Sequence, residues 1–442
     1  MHIYFDNSIE ILVAALKRLG DKEFPTNGVI LRDADGRLSF ISNAKSPESE
    51  EERETLSAQV SHAIGAYARE DVLIYADDPA ARFGLANAVR TSIVIDESAI
   101  TLIDRRIVGT GWQARPTAGN PKPVRVVFSS LKGGVGRSTA LMFAAADLAS
   151  MGQNVLVVDL DLEAPGLGES LLRLDDMPKF GIVDYLVESN VHGQAPENLD
   201  DFIGLSSLTL GRGRVDVLPA FGRTAEEYPA NVLPKLSRAM VDVSDELGMY
   251  GAKGRQLSNL IDRFTEKQMY DVVLIDSRAG LAEMSAPAVL GLGALVLLFG
   301  TAQQQTISGY RALFATLRQM ANDDVLAGGK ADWRWLLQPV YAKVAPDPAT
   351  ILRHEADLYD LFSENIYDAD ETSDPSVFRF AEHDAEAPHK SWMIPFESRF
   401  VGFDPRRQKD QLATDYYETG FRPFLKRLYD KINVMNGSKS DH

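Results

Sequence analysis

The stretch that most constrains this chain is SSLKGGVGRSTA, residues 129–140. An apolar run, VRVVFSS, precedes it and a helical pattern, LMFAAADLASMG, follows. The order is therefore strand, glycine-rich loop, helix. Gly133, Gly134 and Gly136 let the backbone turn tightly and aim its N–H groups inward. Those groups and the N-terminus of the following helix form an anion site. Lys132, Val135, Arg137, Ser138 and Thr139 complete the loop. Ser138 is placed to put its hydroxyl on a magnesium ion, and Thr139 sits nearer an α-phosphate. Such loops normally end Gly-Lys-Ser/Thr, and here Arg137 holds the lysine's place. Arginine keeps the charge and grips phosphate in bidentate fashion. Its planar fork is not equivalent to a compact ammonium. Nucleotide binding is expected to survive the exchange, while hydrolysis, which depends on fine positioning, stays open.

From Val124 onward apolar strands alternate with helical patterns: VRVVFSS, NVLVVDLD, VDVLP, DVVLID, ALVLLFG, WRWLLQPVYAKV and WMIPF. That alternation predicts an α/β fold with a mainly parallel, doubly wound sheet. Residues 1–112 read as a separate small α/β domain. In it HIYF is a strand, SIEILVAALKRLG a helix, and GVILRDADGRLSFIS a hairpin around Asp35-Gly36. Residues 113–123, rich in proline, read as a linker. The P-loop domain is expected over 124–435, with a surface insertion near 345–390 and a polar tail at 436–442. Within the insertion HDAEAPH, with two histidines and two acids, reads as a solvated loop rather than a metal site. Two strands end in aspartates, Asp159 and Asp161 on one and Asp276 on the other. Carboxylates there stand at the edge of the sheet where ligands bind in open α/β folds. A hard cation bridging phosphates needs such oxygens, usually through water. The alternative reading is that the same aspartates start or cap turns.

The loop resembles the deviant Walker A motif of the ParA/MinD class of P-loop ATPases, Lys-Gly-Gly-x-Gly-Lys-Ser/Thr. It looks like the KGGVGR variant of that motif. The resemblance implies that Lys132 reaches across a nucleotide-sandwich homodimer to the partner's phosphates, and that Arg137 stands for the phosphate-cradling lysine. VLVVDLDLEAPGLG (155–168) resembles the following strand, which would make Asp161 the carboxylate that orients the attacking water and Asp159 the one nearer magnesium. GIVDYL (181–186) resembles the family's next short segment. YDVVLIDSRAGL (270–281) resembles the Walker B strand and switch. There Asp276 would hold a magnesium-bound water and Gly280 would offer its N–H to the γ-phosphate. WMIPFESRF (392–400), with Pro395 and Phe396, resembles the segment that closes over adenine. No asparagine stands at the expected base-reading position; Gln338 and Tyr341 are the nearby polar candidates. The implied ligands are ATP and Mg2+. The resemblance spans about 124–403 and leaves the first domain outside it.

Composition narrows the function. There is no cysteine, so disulfides, thiolate metal sites and cysteine nucleophiles are excluded. The net charge of −17 repels a nucleic-acid backbone, so non-specific DNA binding is not expected. The longest apolar run, SAPAVLGLGALVLLFG, is short for a membrane span and broken by glycine. The start of the chain lacks a signal-peptide pattern, and a soluble cytoplasmic protein is expected. RPFLKRLYDKINVM (422–435) is amphipathic; a core-packed last helix is favoured over a membrane-contacting one. The reading is an ATP-hydrolysing switch that dimerises around nucleotide and regulates partner proteins, with residues 1–112 as a candidate partner-recruiting part. The alternative is a nucleotide-sensing scaffold with little or no hydrolysis. A ligase or reductase of the same superfamily finds no second set of catalytic residues.

Overall fold

The computed structural model describes residues 2–20, 23–85, 89–207, 212–241, 252–326, 332–368 and 377–437. Residues 369–376 of the expected insertion and 438–442 of the expected tail lie outside the described residues. The chain divides into two compact units at Gln113/Ala114.

The first unit is built on five strands: β1 (Gly28–Arg32), β2 (Leu38–Ser42), β3 (Ala68–Ile74), β4 (Thr91–Ile95) and β5 (Ser98–Asp104). Their order is β3-β2-β1-β5-β4. The β1–β2 pair is antiparallel, with Gly36 in the left-handed region at the turn between them. Helices Phe5–Leu19 and Glu50–Ile64 supply Leu12, Leu16, Val60 and Ile64 to the core against Ile30 and Phe40. Ser49 caps the second helix through the Glu52 N–H, which is how the acidic run 46–54 enters a helix. HIYF forms no strand. Asn7 Oδ1 accepts the Tyr4 N–H at 2.8 Å and closes a first helical turn, so the helix starts at Phe5. Four alternating residues are too few to outweigh such a local cap.

The second unit holds an eight-stranded sheet: β6 (Val124–Ser130), β7 (Asn154–Leu160), β8 (Gly204–Leu205), β9 (Arg214–Leu218), β10 (Val272–Ala279), β11 (Leu295–Gly300), β12 (Leu337–Val344) and β13 (Trp392–Pro395). The order is β13-β12-β11-β6-β10-β7-β9-β8. All neighbours are parallel except β8, a two-residue edge strand antiparallel to β9. Strand β6 is buried along its whole length, which a central strand covered on both faces requires. Its one charge, Arg125, is 3% exposed and is held by Ser258 and Asp262. The expected WRW start of β12 is instead a 3-10 turn, Asp332–Leu336, and the strand begins at Leu337.

The helix Arg137–Ser150 after the P-loop is buried on almost every side. Its Phe143, fully buried, meets Phe421 at 4.7 Å, Phe403 at 4.8 Å and Tyr417 at 4.9 Å between ring centroids. Truncating a buried aromatic of this size costs about 3–5 kcal/mol, so this cluster fixes the helix firmly. Phe421 and Tyr417 belong to the last helix, Thr414–Gly437, whose Phe424, Leu425, Leu428 and Ile432 are also in the core. The apolar face of 422–435 is thus covered by the protein's own interior. Among the described residues no helix is long and apolar enough to cross a membrane. The prolines of 114–123 lead into this unit, where Thr117 N–H donates to Leu290 O and Asn120 and Lys122 reach Met435 O.

The insertion is more ordered than its composition suggests. Helix Pro348–Asn365 packs on helix Gln304–Leu326. HDAEAPH is solvated only in its first half. His389 is fully buried, with Nδ1 2.6 Å from the Tyr367 hydroxyl and Nε2 3.1 Å from Glu382 O. Apolar neighbours invisible to local spacing draw it in.

Candidate functional site

Strands β13, β12, β11, β6, β10 and β7 end side by side at the carboxyl edge of the second sheet, the edge where open α/β sheets bind ligands. The loops after β6, β7 and β13 and the ends of β10 and β12 meet around a cavity of about 460 Å³. Gly133 through Thr139 line it together with Pro395, Phe396, Phe400, Val401 and Phe421. Asp161, Ala279, Ala342 and Lys343 are also in its wall.

The loop geometry follows from its glycines. Gly134 and Gly136 have φ of +75° and +91°, a region that a side chain would strain. No side chain caps the helix at Gly136, so the helix N-terminus is open toward the cavity. Val135 between the glycines is buried and anchors the loop.

Arg137 does not stand free in the cavity. It is 7% exposed, and its Nη1 donates to Ser130 Oγ at 3.3 Å and its Nη2 to Asp161 Oδ2 at 3.0 Å. Its Nε lies 2.5 Å from Asp276 Oδ1, off the hydrogen-bond axis. Burial pushes this guanidinium toward losing its proton, but Asp276 and Asp161 outweigh burial and hold its pKa above the usual value. Asp276, on β10, is 3% exposed and accepts the Ser138 hydroxyl at 2.6 Å. Burial raises its pKa, and Arg137 and Ser138 oppose that rise. Asp161 also meets Arg278 Nη1 at 3.5 Å, and Arg278 Nη2 lies 2.9 Å from Glu163. Arg278 therefore turns to the carboxylates after β7.

Ser138 Oγ and Asp276 Oδ2, 2.6 Å apart, are oxygen atoms of the kind that could hold a magnesium ion with its waters. Among the described residues no three carboxylate or imidazole side chains form a self-contained metal site, so phosphate and water would have to supply the remaining ligands. Asp159 does not fit the metal role given to it above. It is fully buried, with Oδ1 accepting from Asp161 N at 3.2 Å and Oδ2 from Gly166 N at 3.3 Å and Leu167 N at 3.1 Å. It pins the loop after β7, which was the turn-starting alternative. Gly280 likewise differs from expectation: its N–H donates to Ser130 O at 2.8 Å. Lys132 is exposed and outside the cavity wall, with Nζ 3.1 Å from Gln303 Oε1 and 3.4 Å from Gln305 Oε1. Pro395 and Phe396 do line the cavity. Gln338 and Tyr341 do not: Gln338 donates to Lys390 O, and the buried Tyr341 ring lies tilted against His354, 4.2 Å between centroids. The reading from sequence missed Lys343 and Glu397, both in the wall.

Burial and the neighbouring Asp276 charge push Asp159 up to about 7, from 3.8 in the unfolded chain. The native state thus keeps a proton that the unfolded chain loses. The stabilisation is present below about pH 4 and is lost as pH rises through about 7. The wild-type denaturation midpoint should fall between about pH 4 and pH 7 relative to an Asp159→Asn variant, and level off above that. Parallel pH profiles for the two proteins would show that another group titrates there.

Residues 124–168 match the model of the family described as ATPase MipZ. The matched segment runs from β6 through the P-loop and its helix to the loop that Asp159 pins. Over this segment, and not over the rest of the second unit, the chain is similar to that family's model. An uncharacterized protein of Mycobacterium tuberculosis is 29% identical over 185 residues, which is 39% of this chain and 48% of the relative. The chain spans about half the length of the curated relatives it matches. Among solved structures, pNOB8 ParA bound to nonspecific DNA is 13% identical, covering 71% of this chain and 98% of that one at a TM-score of 0.42. MinD complexed with Mg-ADP from Pyrococcus horikoshii is 20% identical, covering 72% and 99% at a TM-score of 0.39.

Proposed function

We propose that the chain binds ATP with magnesium in this cavity, hydrolyses it, and uses the nucleotide state to control contacts with partner proteins. The observation that carries the proposal is the cavity itself, lined by Gly133–Thr139 together with Pro395, Phe396 and Phe400. The first group offers backbone N–H groups and a helix N-terminus for phosphates. The second offers an apolar wall for a base. Ser138 and Asp276 would hold magnesium, which supplies positive charge to the phosphates when bound. Asp161 orients water from the loop after β7, and Arg137 holds Asp161 and Asp276 in register. The sandwich homodimer rests on Lys132, which is exposed and outside the wall of its own cavity. The net charge of −17 favours protein partners over nucleic acid, and residues 1–112 are the proposed recruiting part.

Arg137 also supports a second reading, a sensor that binds without turnover. Its fork already occupies Asp161 Oδ2 and touches Asp276, the two carboxylates hydrolysis would use. Calorimetry with purified protein and magnesium should detect heat on adding ATP; no heat with any nucleoside triphosphate rejects both readings. Phosphate release is expected to fall at least about tenfold in Asp161→Ala, as removal of a positioned group does. Equal rates in the two proteins would select the sensor.

A further inference from the structure

Lys343 lies on β12 where its pairing with β13 shifts register between Ala342 and Val344. Its φ is +57°, and it is the only residue within a described strand, glycine apart, with a φ in that region; Asp96 and Glu97 share it in a hairpin turn. Bulges of this kind re-aim a side chain, and backbone strain of this kind persists only where the surroundings hold it. Here Ala342 and Val344 on either side are buried. Consecutive residues of a regular strand face opposite sides of the sheet. Ala342 and Lys343 nevertheless line the same cavity, which the bulge allows.

The Lys343 ammonium sits 2.6 Å from the carbonyl oxygen of Gly134, inside the P-loop. The wall of the cavity contains two cations, Arg137 and Lys343. Arg137 is committed to Ser130, Asp161 and Asp276. The one carboxylate near the apolar wall, Glu397, lies 2.5 Å from Arg399. Lys343 has no carboxylate within ion-pair distance among the described residues. A triphosphate entering the cavity therefore meets one cation already neutralised and one held only by a neutral carbonyl.

We propose that Lys343 is a phosphate ligand of the bound nucleotide, its ammonium passing from the Gly134 carbonyl to a phosphate oxygen. It supplies the mobile positive charge that Arg137, tied to two carboxylates, does not. The assignment rests on reading the cavity as a nucleotide site and adds a residue outside the P-loop to it. A compact ammonium on a flexible stem suits this exchange of partners.

The test is calorimetry of ATP and of adenosine on the full chain, comparing wild type with Lys343→Met and Lys343→Asn. Asparagine tolerates the left-handed backbone, so the second variant removes the charge while easing the strain. Both variants should bind ATP about 10- to 100-fold more weakly, the range for losing a hydrogen bond to a charged group, and bind adenosine as wild type does. Wild-type ATP affinity in either folded variant overturns the proposal and leaves the nucleotide site intact. An equal loss for adenosine also overturns it, because the lysine would then only shape the wall. Failure of the wild type to bind ATP instead rejects the cavity as a nucleotide site.

Discussion

Replacing Arg137 by alanine is expected to destabilise the protein by about 3–5 kcal/mol and to abolish measurable triphosphate binding. The magnitude follows from what the substitution strands. Asp161 and Asp276 are 9% and 3% exposed, and Arg137 is the cation between them. Without it, among the described residues, Asp161 keeps only the longer contact to Arg278 at 3.5 Å, and Asp276 only the Ser138 hydroxyl. Asp276, already raised by burial, would take up a proton and surrender its charge to the site. Arg137→Lys keeps the charge but cannot reach Ser130, Asp161 and Asp276 together, so an intermediate loss is expected. Chemical denaturation of the three proteins measures the effect. An alanine variant within about 0.5 kcal/mol of wild type, the range of surface substitutions, would mean that the cluster holds nothing together.

The second large effect is on assembly. Lys132→Ala should leave monomer stability within about 0.5 kcal/mol of wild type, because Lys132 is exposed and touches two glutamine side chains at the surface. It should abolish self-association driven by ATP and magnesium, since each lysine would complete the other subunit's site. Sedimentation of both proteins with and without nucleotide reads this directly. A variant that still dimerises on ATP removes the sandwich from the proposed function. The two substitutions also separate from each other: one acts on the fold, the other on association alone.

The elements whose form follows from neighbours along the chain were legible in the sequence. The P-loop is one, because strand, glycines and helix all lie within 124–150. The apolar runs that form β6, β7, β10 and β11 are others, since strands buried on both faces read as unbroken hydrophobic stretches. What depends on contacts distant in sequence was not. Asp159 and Asp161 are two residues apart on similar-looking ground, yet one faces backbone N–H groups and the other lines the cavity. Only the path of the loop 161–167 decides between them. Lys343 gave no signal either: a lysine near the end of a strand is ordinary, and its left-handed backbone arises from pairing with β13, about fifty residues later. The burial of His389 has the same origin, in Tyr367 and the helices around it.

The last helix has a consequence for how the protein is made. Phe421 is both a wall of the cavity and a neighbour of Phe143 in the helix that begins at the P-loop. A growing polypeptide that has already emerged past residue 150 still lacks that support. The cavity gains this part of its wall only once translation has delivered Thr414–Gly437, and shortened products of the ribosome that stop before it would carry the glycine loop without Phe421 beside it.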